Sequence, residues 1–147
     1  MGNVLRVAAY GVCVDDDRVL LARWVDREGV RRWTLPGGGM DHGEDPYDTV
    51  IREVAEETGY EVVPRVLLGV HSHRNPRDPR PLGRYADFHA LRLLYCVEVT
   101  GGSLRNETDG STDLAAWIPL AEVPDLVRVG LVDHALGLWR ERPPVGR

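Results

Sequence analysis

The chain has 147 residues, 43% of them hydrophobic and 28% charged, with a formal net charge of −5. Those proportions suit one soluble globular domain large enough to bury its own core, and they exclude a disordered or low-complexity polymer. No run approaches the roughly 18 apolar residues of a transmembrane helix, and the acidic balance argues against a nucleic-acid backbone as partner.

In chain order, residues 4–14 form a long apolar run, Asp15-Asp16-Asp17 a turn, and residues 18–25 a returning strand, which together predict a hairpin. The amino terminus enters that pattern without a signal-peptide layout. Cys13 and Cys96 each lie inside an apolar run and read as buried free thiols, which suits a reducing cytosol and a cytoplasmic location. Trp33-Thr34-Leu35 is a short strand, and Gly37-Gly38-Gly39 predicts irregular backbone. Asp45-Pro46 starts a helix, with Asp as cap and Pro at the first helical position, and Gly59 stops it. Residues 61–73 read as a strand interrupted at Pro64, and residues 74–84 as a polar loop with three prolines. A long strand over 87–99 ends at Gly101-Gly102, and a loop at 108–113 leads to a short strand at 115–118. A closing helix is expected over 129–140, with a flexible tail at 141–147. This order predicts a single domain over residues 3–140, built as a sheet with helices packed on it.

The informative stretch is residues 38–60. At about 100° per residue, Tyr47, Val50, Ile51, Val54 and Thr58 share one arc that can face a core. Glu53, Glu56 and Glu57 share a separate arc. Like charges at these spacings repel by roughly 0.2–0.5 kcal/mol per pair. Arg52, four residues before Glu56, offsets part of that but cannot neutralise three acids. A hard divalent cation can, because Mg²⁺ and Mn²⁺ prefer oxygen ligands.

Gly38, five residues, Glu44, seven residues, then Arg52-Glu53-Val54-Ala55-Glu56-Glu57-Thr58-Gly59-Tyr60 resembles the Nudix box. Tyr60 is the one departure, an aromatic in the last apolar slot, and chance agreement across the chain is on the order of 10⁻⁷. Trp33-Thr34-Leu35-Pro36, the strand Val19-Leu20-Leu21-Ala22-Arg23, and Ala116-Trp117-Ile118-Pro119 also resemble family segments in the family's order. The resemblance implies a mixed β-sheet between helices, an α+β fold arranged as an α/β/α sandwich. It also implies a hydrolase that cleaves a phosphoanhydride bond in a nucleoside diphosphate linked to another moiety, with Mg²⁺ or Mn²⁺ as cofactor. By match, Glu53, Glu56 and Glu57 are metal ligands with the Gly38 carbonyl. Arg52 orients the glutamates, and Glu44 supports the loop.

For the general base, Glu53 and Glu56 are candidates, with Glu98, Glu107 and Asp113 beyond the box. His71 and His73 alternate on one strand, so both should point to one face and either could meet substrate or act as base. Arg23, Arg84 and Glu98 are candidate substrate contacts. Arg74, Arg77 and Arg80 share the proline-rich loop with Arg84, and Pro76 stands near a position where some ADP-ribose-cleaving members carry proline. Trp33, Tyr85 and Trp117 are candidates for stacking on a base, with core packing as the default. The expected partner is a small nucleotide or other diphosphate; nucleoside triphosphates, nucleotide sugars and ADP-ribose types all remain open. Similar proteins are commonly homodimers. A non-catalytic nucleotide-binding module on the same fold typically loses box acids, which this chain keeps. An isoprenoid diphosphate isomerase would need a catalytic cysteine, and neither cysteine sits outside an apolar run.

Overall fold

The computed structural model describes residues 2–79, 81 and 83–142. Among them the chain forms eight strands, two α-helices and one 3-10 helix. The strands are β1 (Gly2–Val12), β2 (Val14–Asp15), β3 (Arg18–Val25), β4 (Arg31–Thr34), β5 (Gly37–Gly39), β6 (Tyr60–Asp78), β7 (Ala86–Gly102) and β8 (Thr112–Pro119). The helices are α1 (Pro46–Thr58) and α2 (Gly130–Glu141), with the 3-10 turn at Leu120–Asp125. None is long and apolar enough to cross a membrane, among the described residues.

The strands form two sheets. One has the order β5-β1-β7-β6, and the other joins β2, β3 and β4, with β8 also on β3. The first is mixed, because β1 runs parallel to β7 and antiparallel to β5. Strand β1 is apolar on both faces, as a strand covered from both sides requires. Ala9, Cys13, Leu20 and Val97 pack with Val50 and Val54 of α1. Val12, Val19, Leu21 and Leu94 pack with Leu131, Val132, Ala135 and Leu136 of α2. The alternation of side chains along β1 thus sends odd residues to α1 and even residues to α2. This is an α/β/α sandwich.

Helix α1 starts and stops where its caps predict: the Asp45 carboxylate accepts from the Tyr47 N–H, and Gly59 ends it in the left-handed region at φ 81°. Burying Val50 and Val54 contributes roughly 1.5–3 kcal/mol each. That outweighs the repulsion among its glutamates several-fold, so the helix holds together with its acids crowded.

Four features differ from the sequence expectation. Only Val14–Asp15 returns on β3 as a hairpin; the chain leaves the first sheet at Cys13, so β1 lies in one sheet and β3 in the other. The three glycines are not irregular. They pair antiparallel with Ala8, Ala9 and Tyr10 of β1 as an edge strand, since the lack of side chains lets the backbone lie close. At Gly37 a Cβ would collide with the Ala9 carbonyl and Tyr10. The expected loop from residue 74 begins later, because β6 continues to Asp78, held against Ala86 to His89 of β7. Glu141 belongs to α2 rather than to a tail, and residues 143–147 lie outside the described residues.

Candidate active site

Strand β4 leads through Leu35-Pro36 into β5, and α1 crosses beside that edge. Because the edge carries no side chains, the α1 carboxylates rest directly on backbone. Glu57 accepts a hydrogen bond from the Gly37 N–H at 2.9 Å. The Glu53 carboxyl lies so close to Gly38 that a Cβ there would stand 2.8 Å from it. Gly38→Ala is therefore expected to displace Glu53 without backbone strain, since Gly38 is outside the left-handed region. The concentration of Mn²⁺ needed for half-maximal activity should rise about tenfold, and an unchanged requirement would contradict this placement.

Arg52 ties the cluster together. It donates to Glu44 at 2.8 and 2.9 Å, to Glu53 at 3.0 Å, to Glu56 at 3.4 Å and to the Gly39 carbonyl at 3.2 Å. Glu44 also accepts from the Thr49 hydroxyl and the Asp41 N–H. The Arg52 bond first, then these, hold its carboxyl down at about 2. Through these bonds Glu44 joins the Asp41 loop to Thr49 and Arg52 of the helix.

The helix does not present three equivalent acids to solvent. Glu56 is exposed, whereas Glu57 is 5% exposed and sits in the core margin. Burial pushes the Glu57 carboxyl up to about 9, with the fields of Glu53, Glu107 and Glu56 adding to it against the Gly37 hydrogen bond. Burial likewise raises Glu53. Among the described residues, no three His, Cys, Asp or Glu side chains are gathered tightly enough to grip an ion as they stand. The donor chemistry nevertheless fits a hard cation: buried carboxylates in one another's field, beside backbone carbonyls, are stabilised by positive charge.

Glu53, Glu57 and Gly37 to Gly39 form one end of a cleft of about 1610 Å³. Its floor is the α2-side face of the first sheet, with Arg6, Arg92, His71 and His73, and its other wall includes Trp24, Arg32 and Thr112. The two histidines share a face, as their alternation predicts. None of the three substrate candidates lines this cleft. Arg23 neighbours Trp24, so its side chain points the opposite way, where Asp113 accepts two hydrogen bonds from it at 3.0 and 2.9 Å. Glu98 shares the face of Arg92 but lies six residues along β7, roughly 20 Å away, and pairs with Arg65. Arg84 is exposed beyond the rim.

Asp113 is held by Arg23 and Arg31, which bring its carboxyl down to about 2, and it does not line the cleft. Glu107, bonded to the Thr112 hydroxyl at 3.0 Å, is the candidate from outside α1 whose field reaches Glu53 and Glu57. The aromatic candidates are occupied elsewhere. The Trp117 Nε1–H donates to the Tyr60 hydroxyl at 3.0 Å, so the aromatic in the last apolar slot packs a core edge. Trp33 flanks the α2 core, and Tyr85 carries Arg77 over its ring at 4.2 Å. Pro79 and Pro81 border the cleft, and Pro76 lies within β6. Arg80 lies outside the described residues. Sequence reasoning missed Arg6, Tyr10, Trp24, Arg32 and Arg92; the available signal was an arginine inside an apolar strand, at positions 6 and 92. Both cysteines are free, and burial pushes the Cys13 thiol up to about 11.

The structure thus lays an acid-bearing helix on a glycine edge strand at one end of a cleft, within an α/β/α sandwich. The chain matches the NUDIX domain over residues 3–134 and belongs to that family. It is 33% identical over 122 residues to an ADP-ribose pyrophosphatase of Methanocaldococcus jannaschii, covering 82% of this chain and 65% of that protein. It is 31% identical over 138 residues to the human 8-oxo-dGDP phosphatase NUDT18, covering 92% of this chain and 39% of the relative. The chain thus spans less than two thirds of these relatives' lengths. A solved NUDIX hydrolase from Nitrosomonas europaea has the same fold, with a TM-score of 0.79, 24% identity and coverage of 97% and 94% of the two chains.

Proposed function

We propose that this chain is a divalent-metal-dependent hydrolase of a phosphoanhydride bond in a nucleoside diphosphate joined to another moiety. The observation that carries this reading is the buried Glu57 carboxyl on the Gly37 N–H, beside Glu53 on Gly38 and open to a cleft. Glu53, Glu56, Glu57 and the Gly38 carbonyl would hold Mg²⁺ or Mn²⁺. Bound there, the ion neutralises phosphate charge and lowers the pKa of an attacking water. Arg52 keeps the acids oriented, and Glu53 or Glu107 takes the water's proton. The cleft exceeds the roughly 300–1,000 Å³ of an ordinary small-molecule pocket, which suits a substrate with groups on both sides of its diphosphate. The names of the relatives, an ADP-ribose pyrophosphatase and an 8-oxo-dGDP phosphatase, support the same class.

The test is a panel of ADP-ribose, 8-oxo-dGDP, a nucleoside triphosphate and a nucleotide sugar, with products identified by mass. Hydrolysis of at least one should stop with chelator and resume with Mg²⁺ or Mn²⁺. Hydrolysis that survives the chelator, or none across the panel, would refute the reading.

A further inference from the structure

The cleft floor is a grid set by strand register. Gly39, Ala8, Arg92 and His71 stand opposite one another in a row across β5, β1, β7 and β6. Arg6, Ala90 and His73 form the next row. The alanines at positions 8 and 90 are buried, and Arg6, Gly39, Arg92, His71 and His73 are the members of these rows that line the cleft. Three interstrand gaps separate the glycine edge from His71, about 14 Å. That span places His71 at the end of the cleft remote from Glu53 and Glu57, too far for a group on the cleaved bond.

His71 is unusual in that row. Among the described residues its Nδ1 is buried and has no hydrogen-bond partner, although the large majority of buried side-chain polar atoms in native structures have one. The imidazole of His134, on α2, packs against it with ring centroids 4.3 Å apart and tilted by 46°. Burial first, then His134, Arg92 and His73, hold His71 below the ordinary histidine value, so the ring is neutral near pH 7. A neutral imidazole donates or accepts according to tautomer, which matches the uncharged edge of a base better than a phosphate. Phe88, Val4, Pro79 and Pro81 line the same cleft and supply the apolar surroundings that a planar ring prefers.

We propose that His71 reads the nucleobase end of the substrate through its imidazole and that His134, a positioning residue, holds the ring for that contact. This rests on the hydrolase reading above and adds where the base lies. His71→Phe keeps a ring against His134 but removes both nitrogens. It should raise KM for a nucleoside-containing substrate about tenfold with kcat unchanged, the pattern of lost uniform binding. KM for ribose 5-diphosphate, which has no base, should stay the same; a rise for both compounds would assign His71 a merely structural role and overturn the proposal. His134→Ala should raise KM for the nucleoside substrate in the same direction.

A second readout needs no turnover. With uniformly ¹⁵N-labelled protein and Mg²⁺, the His71 ring resonances should move on adding the α,β-methylene analogues of ADP and GDP, and stay fixed with methylenediphosphonate. If the Gly37 to Gly39 amides respond to the analogues while His71 does not, this inference fails and the hydrolase reading stands. If neither responds, both fall.

Discussion

Replacing Glu57 by Gln is expected to cut turnover by about 10²-fold, the upper end of what groups supporting a metal site cost, while the fold survives. Glutamine has nearly the same shape, and its carbonyl oxygen can still accept from the Gly37 N–H. The same variant carries a stability signature in ion-free protein. The Glu57 carboxyl is raised from 4.5 to about 9, chiefly by burial. A raised value means that the folded state prefers the neutral form. Its stabilising contribution is full below the unfolded value and is lost as pH climbs through the folded one. Chelated wild type should therefore melt at lower temperature at pH 9 than near pH 5, and Mg²⁺ should recover the loss. In Glu57→Gln that component of the fall should be absent, and Mg²⁺ should restore little. Thermal melts across this range, with and without Mg²⁺, check it; a variant that keeps full turnover removes Glu57 from the site.

Arg52→Ala is expected to lower turnover by about ten- to a hundredfold and to lower the melting temperature. The guanidinium joins Glu44, Glu53, Glu56 and Gly39, elements from three parts of the segment. Without it, Glu44 and Glu53 are left partly buried without their counter-charge, and the loop loses its tie to the helix. Arg52→Lys should rescue poorly, because a single ammonium cannot replace a planar fork engaging several acceptors. Turnover and melts of both variants test this; full rescue by lysine would mean that charge alone suffices.

The helix was legible because its instructions are local. Asp45, Pro46 and Gly59 mark its ends, and the spacing of Val50 and Val54 against Glu53, Glu56 and Glu57 sets its two faces within 13 residues. The shared face of His71 and His73 was legible for the same reason, since strand alternation depends only on neighbours. The cleft floor was not. Arg6 and Arg92 become neighbours of His71 and His73 only through the parallel pairing of β1 with β7 and the bulged pairing of β6 with β7. Arg23 and Glu98 were plausible substrate contacts by residue type, yet one faces away and the other lies too far along its strand.

Periodicity and capping along the chain thus settled the acid-bearing helix, and the residue pattern from Gly38 to Tyr60 marked the family. Which acid is buried, which cations stand on the cleft floor and how long the cleft runs were decided by register between strands up to 101 residues apart, as when Gly2 meets Ala86 and Arg18 meets Pro119. The physical reason is that backbone preferences act over a few residues, whereas burial and charge at a site depend on which distant surfaces the core draws together.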